Sequence, residues 1–209
     1  MGKGSLIVVS GFSGAGKGTV MKKLVSSYEN YVLSVSMTTR TPREGEIDGR
    51  EYFFVTRDIF EKTIRENGLL EHAEYVGNYY GTPRAYVEKM QEEGKDVLLE
   101  IDVQGGMQIR GKFPEAILLF LVTPSAAELE KRLSMRHTET PEQIRRRLLR
   151  AREEAVFIPS YDYVVINDDL EACAQEVDRI VRSAKCAPNR KRAFVEQMTK
   201  DLSLLVEES

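Results

Sequence analysis

The sequence predicts an α/β fold in which a parallel sheet carries helices on both faces and a small mixed β unit is inserted. Continuous apolar runs at Leu6–Val9, Val97–Asp102 and Ile117–Val122 indicate strands buried on both faces. Each run is bounded by a segment with helical periodicity, so the order along the chain is strand, helix, strand. Ligands of such folds bind at the carboxyl ends of the strands.

The first strand leads into a glycine-rich loop and then into a helix. We expect that helix to begin near Lys17, because Val20 and Leu24 recur at helical spacing. Between residues 33 and 82 the composition changes to Thr, Arg, Gly and Tyr, with a strand signal at Tyr52–Val55. This change indicates the small β insert.

A second insert is indicated by the polar stretch Arg132–Thr140, which leads into another helix. Thr140 is the predicted cap of that helix, Pro141 suits its first turn, and Gln143 completes a capping box. A polar insert followed by a firmly capped helix is therefore expected in this region.

The last third of the chain contains one further strand and a terminal helix. Tyr163–Asn167 is predicted to be a strand of the same parallel sheet. A charged amphipathic helix is expected over Asn189–Leu205, opened by Pro188 and packed outside the core.

Bulk properties exclude several classes of protein. The 209 residues suffice for one packed domain, and a net charge of -3 argues against a dedicated nucleic-acid binder. The longest apolar stretch, Ala116–Val122, is far shorter than the ~20 residues that cross a bilayer, so no membrane partner is expected. The short apolar run before the glycine loop does not have the pattern of a secretory signal, so no targeting segment is expected.

The cysteines and histidines show no metal-ligand spacing. We expect Cys173 and Cys186 to be small buried residues, and His72 and His137 to be surface or interface groups. These features favour a reduced, cytoplasmic protein.

The loop after the first strand carries the pattern of a phosphate-binding site. Gly11, Gly16 and Lys17 match G-x-x-x-x-G-K-[ST], a motif whose backbone N–H groups surround phosphate oxygens at a helix N-terminus. The pattern breaks at Gly18, where a metal-binding hydroxyl usually stands, and the first hydroxyl belongs to Thr19. A structural glycine turn with a solvated lysine is the alternative.

Five further segments have a distinctive order and spacing. They are SMTTRTPR at 36–43, GREY at 49–52, GNYYGT at 77–82, EIDVQG at 100–105 and VINDD at 165–169. Together with the glycine loop they closely resemble the guanylate kinase family, in order from about Leu6 to Ala184. Five motifs with matching spacing are more specific than the loop alone.

The resemblance implies a single guanylate-kinase-like domain with a P-loop NTPase-type sheet. The implied parts are a core at 1–32, 83–128 and 155–187, a GMP-binding insert at about 33–82, a helical lid at about 129–154 and a C-terminal helical extension at 188–209. The implied reaction transfers the γ-phosphoryl of ATP to GMP, and to dGMP, with Mg²⁺, in purine nucleotide metabolism and GMP recycling. The partners are then small molecules, and the chain is a monomer or a homodimer.

On the donor side, the resemblance implies a binding loop and a set of arginines. The ATP-binding residues would be Gly11, Phe12, Ser13, Gly14, Ala15, Gly16, Lys17, Gly18, Thr19, Arg132, Asn167 and Asp168. The catalytic residues would be Lys17, Arg43, Arg136 and Arg147. Arginines that converge from a moving lid can neutralise charge on the transferring group and exclude water.

Arg147 belongs to an arginine run in which not every member is expected to act. It lies beside the buried stripe of its helix, where it can reach inward, whereas Arg145 and Arg146 are expected to be solvated.

On the acceptor side, Ser36, Arg40, Arg43, Tyr52 and Tyr80 fall at the positions that the family uses for the phosphate of GMP. Arginine forks and hydroxyl groups suit a monophosphate. One tyrosine of a neighbouring pair commonly packs in the core, and we expect Tyr80 to be the binding one.

The base of the acceptor requires a different chemistry. Glu71 occupies the family position that selects guanine, because a carboxylate can accept from N1–H and N2–H₂, and Thr82 would assist. Glu100 and Asp102 alternate on one face at a strand end, close to the loop. An acid there can hold substrate groups or orient metal-bound water, although the family often has Asp where Glu100 stands.

Two alternatives remain. The first is another P-loop kinase that acts on AMP or a ribose phosphate, since Gly-Lys-Gly-Thr resembles the loop of adenylate kinase; the acceptor residues oppose it. The second is a non-enzymatic guanylate-kinase-like module that binds a protein partner. Such modules tend to lack an intact loop and lid arginines, and both are present in this sequence.

Overall fold

The computed structural model describes residues 3–75, 77–135 and 140–207. Its strands are β1 (Leu6–Gly11), β2 (Tyr31–Leu33), β3 (Ser36–Thr38), β4 (Tyr52–Phe54), β5 (Leu69–Tyr75), β6 (Asn78–Pro83), β7 (Asp96–Glu100), β8 (Ile117–Val122) and β9 (Tyr163–Ile166). Its helices are α1 (Lys17–Ser27), α2 (Arg57–Arg65), α3 (Arg84–Glu92), α4 (Val103–Lys112), α5 (Ala126–Ser134), α6 (Pro141–Ala155), α7 (Leu170–Ala184) and α8 (Arg192–Glu207).

The large sheet is parallel throughout, with the strand order β2-β7-β1-β8-β9. Strand β1 is central, and Ile7, Val8 and Val9 are completely buried, as the continuous apolar run predicted. The predicted α/β fold class is therefore confirmed. Because the strands are parallel, their carboxyl ends meet at one edge of the sheet.

Helices cover both faces of this sheet. On one face Ile7 and Leu121 pack with Leu24 of α1 and with Val177 of α7. The other face has its own cluster, which includes Val8, Leu118, Phe120, Val87 of α3 and Ile109 of α4. Alternate residues of each strand thus feed two separate cores, which explains why the strand sequences are apolar without a break.

A second, four-stranded sheet has the order β4-β3-β6-β5 and is mixed. Strands β3 and β4 are parallel, whereas β6 is antiparallel to both β3 and β5. Gln108 of α4 fastens this sheet to the core: its amide exchanges two hydrogen bonds with the backbone of His72, at 2.7 and 3.2 Å. The small mixed β insert is confirmed, and His72 is half-buried on β5.

Helices α5 and α6 pack against each other through Leu129, Leu133 and Ala151. The predicted capping box is present, with Thr140 and Gln143 exchanging side-chain to backbone hydrogen bonds at the start of α6. Helix α5 continues to Ser134, so the polar stretch that begins at Arg132 starts within this helix. Residues 136–139, which include the predicted Arg136 and His137, lie outside the described residues.

The C-terminal region differs from the prediction in two respects. Cys173 is buried on α7, but Cys186 is exposed because it follows the end of that helix. Pro188 opens a short 3-10 segment, so α8 begins at Arg192 and not at Asn189. In the described part of the chain, no helix is long and apolar enough to cross a membrane.

Candidate active site

The glycine loop connects the end of β1 to the start of α1, as the motif requires. Gly16 is the residue before the helix, with φ +92°, and a Cβ there would lie 2.4 Å from Asn167 Nδ2. Glycine is therefore needed for both its backbone conformation and its lack of a side chain. The first N–H groups of α1 face the loop, where the helix dipole favours an anion.

Asn167, which directly follows β9, forms a hydrogen bond to this loop. Its Nδ2 donates to the backbone oxygen of Ala15 at 2.7 Å, and its own N–H donates to the oxygen of Val122 at 2.8 Å. Asn167 is almost fully buried, and the neighbouring Asp168 is exposed. The end of β9 thus fixes the shape of a loop that belongs to β1.

The charged groups of the donor side converge on the loop. Lys17 Nζ donates to the backbone oxygen of Gly11 at 2.7 Å and lies 3.3 Å from that of Phe12. Arg147 of α6 donates from Nη1 to Ser13 Oγ at 2.8 Å, so the arginine expected to reach inward does so. Arg132, by contrast, lies on α5 and donates to Glu128 at 2.9 Å.

Two cavities adjoin the loop and share part of their lining. One, of about 640 Å³, lies over the loop and is lined by Ser13, Gly14, Gly16, Lys17, Gly18, Thr19, Lys22 and Glu100. The other, of about 510 Å³, lies between the two sheets; its lining includes Ser36, Tyr52, Glu71, Tyr80, Glu100, Asp102 and Arg147. The structure therefore brings donor-loop and acceptor residues together at the carboxyl edge of the sheet.

The inner end of the second cavity holds a buried carboxylate. Glu71 is only 4% exposed, and Oε1 accepts a 2.6 Å hydrogen bond from Thr82 Oγ1. Burial raises the pKa of Glu71 to about 7; the hydrogen bond from Thr82 opposes this shift, and the charge of Asp102 adds to it. A Cβ at Gly105 would lie 2.7 Å from Glu71 Oε2, so a glycine is needed here for the carboxylate to keep its position.

Beside Tyr52, which lines the second cavity, a cation lies among aromatic rings. The guanidinium of Arg40 lies 5.4 Å from the ring centre of Tyr52, and its Nη2 donates to both carboxylate oxygens of Glu46 at 2.9 Å. Hydrogen bonding to Glu46 raises the pKa of Arg40 further. Arg43 is exposed, and its backbone N–H donates to the same carboxylate at 2.8 Å. This ion pair shapes the loop between β3 and β4.

The neighbouring tyrosines take different environments. Tyr80 lines the cavity with its ring centre 6.0 Å from that of Tyr52. Tyr79 stacks on Phe60 at 5.2 Å and lies under the guanidinium of Arg57.

Two acids stand where the cavities meet. Glu100 ends β7, and its pKa is raised by burial, which the charges of Lys17 and Lys22 oppose. Asp102 caps α4: Oδ1 accepts from the N–H of Gly105 at 3.0 Å. Both acids therefore face the region between the donor and acceptor sides.

The sequence prediction missed several residues that line the second cavity, and two of them are charged residues of α6. Arg150 and Glu154 of α6 line the second cavity, and Arg150 Nη2 lies 3.5 Å from Asp102 Oδ2. Arg150 follows Arg147 by three positions, so the helical period places both on one face. That spacing was the available signal.

Residues of a glycine loop with a phosphate-binding pattern, a buried carboxylate and two arginines of α6 line one cavity. On a parallel α/β sheet, this arrangement defines the class of nucleotide-dependent phosphotransferases.

Comparison with known proteins specifies the family. The family model for guanylate kinase matches residues 3–184. A guanylate kinase of Bacillus cereus is 50% identical over 201 residues, which are 96% of this chain and 98% of the relative. One of Lactococcus lactis subsp. lactis is 51% identical over 181 residues, covering 87% and 88% respectively.

A solved structure leads to the same family. The crystal structure of guanylate kinase from Anaplasma phagocytophilum aligns with a TM-score of 0.72 and 35% sequence identity, over 90% of each chain. The chain belongs to the guanylate kinase family, ATP:GMP phosphotransferases that phosphorylate GMP with ATP to give GDP.

Proposed function

We propose that this chain transfers the γ-phosphoryl of ATP to GMP, and also to dGMP, where its two cavities meet. The observation that carries the proposal is that the buried Glu71, hydrogen-bonded to Thr82, lines the same cavity as Lys17. A carboxylate matches the N1–H and N2–H₂ donors of guanine. Adenine has neither a hydrogen at N1 nor an amino group at C2, so both of these hydrogen bonds to the carboxylate would be lost.

On the donor side, the loop from Gly11 to Thr19 binds the phosphates of ATP through its N–H groups. Lys17 exchanges its loop carbonyl partners for the β- and γ-phosphates. Arg147 already touches the loop at Ser13, and it neutralises charge on the transferring group. Arg132 and Arg136 complete the cationic set, and Asn167 and Asp168 flank the adenine.

On the acceptor side, Arg40, Arg43, Tyr52 and Tyr80 bind the phosphate of GMP, and Ser36 adds a hydroxyl. The support for this is that the guanidinium of Arg40 lies against the ring of Tyr52, which lines the cavity together with Tyr80. Before the phosphate binds, the guanidinium of Arg40 donates hydrogen bonds to Glu46.

The donor set also suits Mg²⁺, which neutralises charge on the β- and γ-phosphates when it is bound. Glu100, Asp102 and Thr19 are the oxygen donors beside the loop. Among the described residues, no group of three or more His, Cys, Asp or Glu side chains could hold a metal ion. One or two carboxylates are the number that Mg²⁺ usually takes, because phosphates and waters supply the rest.

The parts of the chain have corresponding roles in the proposal. Residues of about 33–82 form the acceptor insert, those of about 129–154 form a lid that closes over ATP, and those from 188 extend the core. Such an enzyme would act in the cytoplasm, in purine nucleotide metabolism and GMP recycling, as a monomer or a homodimer.

A coupled assay of ADP release tests the proposal. Purified protein with ATP and Mg²⁺ is given GMP, dGMP, AMP, UMP or CMP in turn. We expect turnover with GMP and dGMP and little with the others. No turnover with GMP would remove the enzyme assignment, and a preference for AMP would contradict the role of Glu71.

A further inference from the structure

Helix α6 directs two arginines into the site, toward different substrates. Arg147 donates to Ser13 in the donor loop at 2.8 Å. Arg150, three positions later on the same face, lines the acceptor cavity and approaches Asp102. One rigid helix therefore touches both halves of the site.

The guanidinium of Arg150 contacts three separate elements. Its Nε donates to Glu154 Oε1 on its own helix at 2.9 Å. Its Nη2 lies 3.5 Å from Asp102 Oδ2 at the start of α4, and its Cζ lies 5.1 Å from the ring centre of Tyr75 on β5. Since α4 belongs to the core and β5 to the small sheet, Arg150 connects α6 with both.

The partners of Arg150 explain how it can orient Asp102. The Glu154 side chain is 15% exposed and holds one edge of the guanidinium, which leaves the Nη2 edge toward Asp102. Asp102 in turn offers Oδ1 to Gly105, so its second oxygen is the one that faces the arginine. The side chain is thus fixed from two directions. A cation at this place also offsets the repulsion between the neighbouring carboxylates of Asp102 and Glu71.

We propose that Arg150 is a positioning residue for the acceptor nucleotide, which holds Asp102 beside Glu71 and connects α6 to the acceptor cavity. The proposal rests on the proposed function, since it assigns a role within the GMP site. Arg150 acts through Asp102 and Tyr75. Its loss therefore disorders the acceptor side and leaves the donor loop intact.

The primary test compares Arg150→Gln with Arg145→Gln, a matched change at an exposed position of the same helix. For Arg150→Gln we expect KM for GMP to rise about fivefold, the upper end for an ion pair whose arginine side chain is 41% exposed, with KM for ATP and kcat within about twofold of the wild type. Calorimetric titration with GMP alone should show the same weakening. The Arg145→Gln protein should match the wild type in every measurement.

Two further variants separate positioning from simple stability. Arg150→Lys keeps the charge but loses the planar fork and its stacking, so we expect an intermediate KM for GMP. Tyr75→Leu removes the stacking partner on β5 and should raise KM for GMP about threefold. In the Arg150→Gln background the same change should raise KM for GMP by a smaller factor, because the contact is already lost.

Defined results overturn the proposal. One is an Arg150→Gln protein that binds GMP like the Arg145→Gln protein. Another is an equal loss of ATP and GMP affinity together with a lower melting temperature, which would indicate a structural role. If wild-type protein fails to phosphorylate GMP, the proposed function falls. In that case the GMP titrations still decide the role of Arg150, because they require no turnover.

Discussion

Thr82 Oγ1 donates a 2.6 Å hydrogen bond to Glu71 Oε1, and both residues are almost completely buried. The hydroxyl satisfies one carboxylate oxygen and leaves the remaining acceptor capacity of Glu71 for a ligand. Because the rest of the environment is poor in compensating charge, burial dominates and the pKa of Glu71 rises to about 7. The carboxylate that we propose to select guanine therefore has a pKa close to neutral pH.

GMP binding should for this reason depend on pH. The carboxylate must be ionised to accept from both guanine donors, and protonated Glu71 predominates below a pKa of about 7. We expect kcat/KM for GMP to fall by about tenfold per pH unit on the acid side of that value. Initial rates between pH 5.5 and 8.5, at subsaturating GMP, measure it. An acid limb that lies near the ordinary pKa of glutamate would contradict the prediction.

Ionisation of Glu71 should favour GMP binding but lower the stability of the ligand-free fold. A carboxyl whose pKa is raised from 4.5 to about 7 stabilises the fold below 4.5, and this contribution is lost as pH rises through 7. The free energy of unfolding of the ligand-free protein should fall over this range by an amount on the order of 3 kcal/mol from this group. Urea unfolding of Glu71→Gln, which lacks the titration, should show a smaller pH dependence than the wild type.

Glu71→Gln should also change specificity. The amide presents a donor toward guanine, so kcat/KM for GMP should fall by a factor on the order of 100, with no comparable loss for AMP. The acceptor panel measures both. Equal losses for all acceptors would assign Glu71 a structural role.

Lys17→Ala and Arg43→Ala should each abolish most turnover and leave the fold intact. Lys17 bonds to loop carbonyls and Arg43 is exposed, so neither belongs to the core. We expect kcat to fall by at least about 100-fold, as for groups that neutralise transferring phosphate, with melting temperatures close to the wild type. Arg65→Ala, an exposed arginine on α2, is the matched control. A kcat near the wild-type value in either variant would show that the transfer site lies elsewhere.

Asn167→Ala should weaken ATP binding. The change leaves the backbone oxygen of Ala15 without its 2.7 Å partner, at a cost of about 1–3 kcal/mol shared between loop order and stability. Titration with ATP should show about a tenfold higher Kd by the same principle. Asn189→Ala removes an exposed amide and serves as the control. Unchanged ATP affinity would show that the loop keeps its shape without this bond.

Gly18→Ser should tighten the Mg²⁺ binding that we propose. A Cβ at Gly18 would lie 3.5 Å from Glu100 Oε2, an ordinary contact, so the serine fits beside an acid that already faces the loop. We expect half-maximal activity at about threefold lower Mg²⁺, because the hydroxyl adds an oxygen ligand. Gly18→Ala adds the same carbon without the oxygen. If both variants respond to Mg²⁺ alike, the hydroxyl has no such role.

Local sequence patterns predicted the parts of this protein whose structure is decided locally. The capping box at Thr140 and the apolar strand of Ile7 follow from near neighbours alone. Arg150 was missed because its role depends on Asp102 and Tyr75, which reach it only through tertiary packing. The prediction that Cys186 is buried was wrong because α7 ends at Ala184, before this residue. A shift of one turn in the end of a helix changes whether a small residue there is buried or exposed.

The bond between Asn167 and Ala15 joins residues 152 positions apart. The phosphate loop lies near the start of the chain, but the residue that hydrogen-bonds to it follows β9, an edge strand of the large sheet. During synthesis the loop therefore emerges long before the residue that fixes it. Tight ATP binding should appear only when this edge strand has docked, so nucleotide affinity reports that folding of the sheet is complete.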